Sequence, residues 1–248
     1  MTGRWRRSGL ALFPLVAGCL DAADAPFPTA PAPPFSVVDS SPSYGDTGVA
    51  TDVIIEVRFS DVPYPPQLDG TWLLSTPGVR VTGTARVDLV ERSVRVRAAR
   101  GLQPYLEYTL AISTDLRSFA GAPLKQAEKL LFFTGGGPGP PPPPPTLRKL
   151  GAEVLPALAV CAASGCHASA TGVAGLDLES AAGVLGAVSR SARGQPDSVL
   201  IVPGSSAASY LLWKALGLAH TFGHRTPALA HDPARVLADW IEQGAQNP

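Results

Sequence analysis

The chain has 248 residues, and its 20 Lys plus Arg balance its 20 Asp plus Glu, so no overall basic field exists to hold nucleic acid by its phosphates. Hydrophobic residues make up 45%, ample for a core, whereas 26 Pro and 25 Gly are too many for one compact domain. A wholly disordered, collagenous or polytopic membrane chain is excluded, and the length suits one or two domains joined by extended connectors.

The N terminus carries Arg4, Arg6 and Arg7, then the apolar run Leu10 to Val16, then Val16-Ala17-Gly18-Cys19. This is a secretory signal layout. The run is too short to cross ~30 Å of hydrocarbon and contains Pro14. The Val-Ala-Gly-Cys tetrad resembles the lipobox of bacterial lipoproteins. That resemblance implies that residues 1–18 are removed as a signal peptide, that Cys19 is lipidated, and that the exported protein sits in the cell envelope. The expected site is the outer membrane or periplasmic face of a bacterial membrane. An ordinary cleaved signal would explain Ala17 and Gly18 but not the cysteine directly after them; Arg6-Arg7 also permits a twin-arginine signal, which the residues after it fit poorly. Residues 19–34, rich in Ala and Pro, read as an extended tether. Paired thiols beyond the membrane are expected to be oxidised or covalently used.

Residues 35–134 change to short alternating runs. Val53 to Phe59, Val79 to Thr82, Ser93 to Arg97 and Tyr108 to Ile112 carry period-two patterning, punctuated by turn clusters such as Tyr44-Gly45-Asp46. An all-β sandwich of the immunoglobulin-like class is expected, without a cysteine to bridge its sheets. Ser41-Pro42, Gly48-Val49, Ile55 to Ser60, Leu102-Gln103-Pro104, Tyr108-Thr109-Leu110, Phe119-Ala120-Gly121 and Phe132-Phe133-Thr134 resemble, in order, the bacterial Ig-like modules of cell-surface proteins. The resemblance implies a structural or adhesive module with no catalytic site. Arg92, Arg95, Arg97 and Arg100 form a local basic cluster, but alternation with Val94 and Val96 favours a solvated strand face over a polyanion-binding edge.

Gly135-Gly136-Gly137-Pro138-Gly139 and the prolines Pro140 to Pro145 form a linker, residues 135–145. Polyproline extends by ~3.1 Å per residue, which would hold the flanking domains roughly 19 Å apart. Residues 146–248 read as a small, mostly helical domain. In its last helix Asp232 is expected to cap, Pro233 suits the first turn, and Val236, Leu237, Trp240 and Ile241 share a face. A second helical stretch is expected from Ala207 to Gly217.

The chemistry concentrates in Cys161-Ala162-Ala163-Ser164-Gly165-Cys166-His167. Covalent haem needs two thiols to add across two vinyl groups and an imidazole beside the second thiol to reach iron, usually as Cys-x-x-Cys-His. Four residues separate the cysteines here. A regular helix would rotate the second about 140° from the first, so the segment must bulge, with Gly165 supplying the freedom.

Val154-Leu155-Pro156, the cysteine-histidine segment, Gly175 to Leu178, Val202-Pro203-Gly204, Ser209-Tyr210-Leu211, Arg225-Thr226-Pro227 and Trp240 to Ala245 resemble, in order, the small cytochrome c modules of planctomycete and myxobacterial surface proteins. The resemblance implies covalently attached haem c on Cys161 and Cys166, with His167 as the proximal iron ligand. The family's distal ligand is a methionine before a proline, and Thr226 stands there. Met1 is the only methionine and lies in the signal peptide. His224, two residues from the lost position, is the favoured distal metal ligand; His220, His231 and no protein ligand remain alternatives. Two further readings compete with haem: a local disulfide between Cys161 and Cys166, and zinc held by both thiolates, His167 and another histidine.

The chain therefore reads as a lipid-anchored extracytoplasmic electron carrier with an unidentified redox partner and no nucleic-acid partner. The alternative is a structural or adhesive surface lipoprotein whose C-terminal module is haemless and disulfide-stapled. An electron carrier is favoured over an enzyme. An open iron position would permit a peroxidase-like activity.

Overall fold

The computed structural model describes residues 34–68, 71–77, 79–163, 166–168, 172–193, 195–218 and 229–247. The signal segment, Cys19, Ser164, Gly165, His220, His224 and Thr226 lie outside them. No helix among the described residues is long and apolar enough to cross a membrane.

Alternation of β-branched and apolar residues with polar ones produces two antiparallel four-stranded sheets. The strands are β1 (Val37–Ser41), β2 (Ile54–Phe59), β3 (Trp72–Thr76), β4 (Val79–Val81), β5 (Gly83–Asp88), β6 (Ser93–Ala98), β7 (Glu107–Ile112) and β8 (Glu128–Phe133). Their orders are β1-β2-β6-β5 and β4-β3-β7-β8. Ile55, Val57, Val94 and Val96 from the first sheet face Leu74, Leu110 and Phe132 from the second, all buried. The Tyr108 and Phe132 rings stack with centroids 5.9 Å apart. Gly83 is required where β5 pairs with β6, because a Cβ there would lie 2.4 Å from the Arg97 carbonyl oxygen.

The C-terminal segment holds less helix than expected. A π turn, Leu150–Val154, runs into α1 (Leu155–Leu158); α2 (Ala181–Leu185), a ribbon of β9 (Ser191–Ala192) and β10 (Gln195–Val199), α3 (Tyr210–Ala215) and α4 (His231–Glu242) follow. The expected helix from Ala207 is a 3-10 turn, Ser206–Ala208, followed by the short α3. Ser180 caps α2, its hydroxyl accepting from Gly183 N–H at 3.0 Å. Gly183 meets Asp177 so closely that a Cβ would sit 2.4 Å from its carbonyl oxygen. In α4, Ala230 rather than Asp232 occupies the N-cap, and Asp232 lies in the first turn. Leu237, Trp240 and Ile241 are buried as the pattern predicts, with Ala234 and Ala238 beside them, whereas Val236 is half-buried. This face covers Leu150, Val154 and Leu158, and Trp240 Nε1 donates to the Gln246 carbonyl at 2.7 Å.

The linker does not hold the two regions apart. Gly135 N–H donates to Val49 O at 2.7 Å and Gly139 N–H to Asp52 Oδ1 at 2.7 Å, so the glycines lie along the sandwich. Beyond the prolines, Gln243 Nε2 donates to Thr146 O at 2.9 Å and returns the chain to α4. The regions then touch directly. The Trp213 ring meets Phe119 edge-on at 5.2 Å, and Arg235 makes a forked bond to Asp88 at 2.8 and 3.0 Å. Extended polyproline sets a reach, and here apolar and ionic contacts fold that reach back.

Candidate functional site

The cysteine-histidine segment is wound into a hydrogen-bonded turn at the end of α1. Cys161 N–H donates to Leu158 O at 2.8 Å, ending the helical turn. His167 N–H donates back to Cys161 O at 3.1 Å, so the long spacer closes on itself and brings the first cysteine beside the histidine. Outgoing chain locks the far side: Val173 N–H donates to Cys166 O at 2.7 Å and Leu178 N–H to His167 O at 2.8 Å. The departure from helix expected of the four-residue spacer is thus present, although the glycine assigned to it lies outside the described residues.

His167 Nδ1 lies 3.2 Å from the Val173 carbonyl oxygen. A carbonyl only accepts, so Nδ1 carries a proton in this contact. Metal-bound histidines are commonly oriented by this kind of contact. Cys161 is half-buried against the apolar core, and burial raises its thiol pKa, keeping it protonated and a weak nucleophile near neutrality. Cys161 is a free thiol and Cys166 is disulfide-bonded. The two are therefore not joined to each other, which corrects the expected local bridge; the Cys161 side chain packs into the core instead.

His231 is placed elsewhere. Its Nδ1 lies 3.0 Å from Asp232 Oδ1 and its Nε2 3.1 Å from Glu91 Oε1, on the turn between β5 and β6. These contacts, Asp232 first and then Glu91, raise its pKa. It serves the contact between the two regions, not the cysteine turn. His224, the favoured distal ligand, and Cys19 fall outside the described residues. No group of three or more His, Cys, Asp or Glu side chains suited to a metal ion occurs among the described residues.

Sequence reasoning missed a second feature, a cleft of about 980 Å³ between the outer face of the β5-β6 sheet and α4. Arg86, Arg95, Arg97, Arg148 and Arg235 line it together with Asp88, Asp239 and Glu242. The alternating arginines of β6 mark one wall. The opposite wall follows only from docking, because nothing local in α4 says which strand it meets.

Residues 31–135 match the family described as "Bacterial Ig-like domain". No curated protein matches the chain. Among solved structures, the N-terminal part of the bacterial S-layer protein SbsC is similar at 15% identity and a TM-score of 0.32, over 47% of this chain and 26% of that one. CopC from Methylosinus trichosporium OB3b is similar at 20% identity and a TM-score of 0.33, over 44% of this chain and 99% of that one. PcoC, a methionine-rich copper resistance protein from Escherichia coli, is similar at 18% identity and a TM-score of 0.32, over 41% of this chain and 99% of that one. The chain thus spans about a quarter of the S-layer structure's length. The two-sheet sandwich lies within the matched residues, and the match supports an Ig-like fold for it.

Proposed function

We propose that the chain is an exported, lipid-anchored protein whose C-terminal segment holds haem c covalently on Cys161 and Cys166, with His167 as proximal ligand, and passes electrons. The observation that carries this reading is the His167 contact, in which Nδ1 lies 3.2 Å from the Val173 carbonyl oxygen and orients the ring as metal-bound histidines are commonly oriented. Bound there, haem would supply reversible one-electron chemistry at iron. Cys161 suits thioether attachment in that its thiol is free. Cys166 suits it only after its disulfide is opened. The chain's remaining residues orient the imidazole, close the turn through the Cys161 carbonyl and bury the first thiol. His224 completes the ligand set in this proposal, with electron transfer to a redox partner as the outcome.

The Cys166 disulfide favours a second reading, a haemless surface protein in which the C-terminal segment is structural. Anchoring bears on the choice. With three cysteines in the chain and Cys161 free, a lipid on the Cys19 sulfur and an intrachain disulfide of Cys166 exclude each other.

The test is coexpression of the full chain with a haem-attachment system that accepts four-residue spacers, followed by haem staining of denatured protein and labelling with palmitate. Stain and label on the wild type are expected, with stain lost from the Cys161→Ala, Cys166→Ala double variant and label lost from Cys19→Ser. Wild-type protein that takes up no stain selects the haemless reading, and label surviving in Cys19→Ser sinks the anchor.

A further inference from the structure

Charge in the cleft between the sandwich and α4 is unequally satisfied. Asp88 accepts from Arg235 at 2.8 Å and lies 3.2 Å from Arg95. Asp239 accepts from Arg235 at 2.8 Å and from Arg148 at 2.9 Å. Glu242 Oε1 accepts from the Ser206 backbone at 2.7 Å and its hydroxyl at 2.6 Å, leaving its other oxygen 3.6 Å from Arg86. All three carboxylates are thus committed. Arg86 is held only by that long contact with its side chain 75% exposed, and Arg97 has no ion-pair partner among the described residues.

The register makes this arrangement a pair. Arg86 stands directly opposite Arg95 in the β5-β6 ladder, and Arg97 stands opposite Thr84, so Arg86 and Arg97 are diagonal neighbours on one face. Diagonal neighbours lie about 7–8 Å apart, close enough for one bridging oxyanion. Like charges set side by side on a sheet are destabilising without a counter-charge, and the cleft's own carboxylates are already engaged. Its polar lining offers hydroxyl groups from Thr84 and Thr146, and no aromatic ring lies among the described residues that line it. Bases have nothing to stack on, which disfavours single-stranded nucleic acid.

We propose that this cleft binds a linear polyanion bearing carboxylate or phosphate groups, engaged at the mouth by Arg86 and Arg97. The site is independent of haem, because its walls are the sandwich sheet and α4. Its strength falls with salt, since both guanidinium groups are exposed.

The test measures binding of two probes to the full chain at 50 and 200 mM sodium chloride: fluorescein-labelled hexagalacturonate by anisotropy, tripolyphosphate by calorimetry. Binding of either probe is expected, and the one that binds identifies the source of the anion. The Arg86→Gln, Arg97→Gln double variant should lose at least about tenfold in affinity. Arg97→Lys should keep most of it, and Arg80→Gln, on β4 of the other sheet, should lose nothing. No binding of either probe at the lower salt overturns the proposal. So does an equal loss in Arg80→Gln, which would mean diffuse attraction.

Discussion

The sandwich and the C-terminal segment hold their shapes by different means. In the sandwich, strands of up to six residues pair over long sequence separations, and alternate residues fill one core between two sheets. The C-terminal segment has a single helix of 12 residues, α4, laid over a π turn and a set of short turns, with side chains and backbone carbonyls tying the loops. The redox-capable side chains and His167 lie on the loop-held side. A ladder of strands repeats one geometry and leaves little room for a special position, whereas a turn built from single hydrogen bonds places individual atoms such as His167 Nδ1. The comparison teaches that the sandwich supplies a wall and the C-terminal segment carries the cysteine-histidine turn, and that their contact creates a cleft neither has alone.

The sharpest way to break the comparison is to remove one core and watch the other. Trp240 is 1% exposed, and Trp240→Ala should cost about 3–5 kcal/mol. Guanidinium unfolding followed by circular dichroism and tryptophan fluorescence should show the C-terminal segment melting first while the β signal of the sandwich persists. A single coincident transition for both probes would mean that the two regions fold as one unit.

A smaller effect is expected at their contact. Asp88→Asn leaves Arg235 half-buried with only Asp239 to neutralise it, and leaves Arg95 with Glu56 alone. The expected loss is about 2 kcal/mol of docking, since a buried charge is stripped of one partner. Trp213 reports it, because its ring packs on Phe119 and Tyr64 across the contact. Its emission should move toward the red in Asp88→Asn, and unchanged emission with an unchanged melting midpoint would show that the ion pair does not hold the regions together.

The smallest effect is pH dependence at His231. Its hydrogen bonds to Asp232 and Glu91 raise its pKa above 6.5, and Arg58, 3.9 Å from Glu91, is the other charge facing it. A raised pKa contributes stability that is fully present below the ordinary histidine value and is lost as pH rises through the folded-state value. Docking should therefore weaken slightly from mildly acidic to mildly alkaline pH, less at high salt because His231 is exposed. The His231→Gln variant should lack this slope, and a slope retained in that variant assigns the titration to another group.

Much of the sandwich was legible because alternation at period two is written into consecutive residues. Ile55, Val57, Val94, Val96, Tyr108 and Leu110 all face inward as their spacing predicts. Strands β1, β3, β5 and β8 are not legible from patterning, since their sequences do not alternate cleanly and their pairing comes from neighbours. In α4 the apolar face was legible and the cap was not: Asp232 has the right chemistry for a cap, but the helix begins two residues earlier than that cap implies, at His231, whose ring lies 3.0 Å from the Asp232 carboxylate. The adjacency of Cys166 and His167 belongs to the sequence, and so does the need for a bulge between the cysteines. That Cys161 is free and packed into the core, and that the Val173 carbonyl orients His167, follow only from how distant backbone closes on the turn. Sequence by itself determined which residues alternate, where apolar faces lie and which chemistry-bearing side chains are neighbours, because these depend on spacing along one chain. The folding back of the polyproline linker, the Arg235–Asp88 pair and the unequal use of charge in the cleft were decided by tertiary structure, because each depends on contacts between residues far apart in sequence, whose strength is set by burial and geometry rather than by local order.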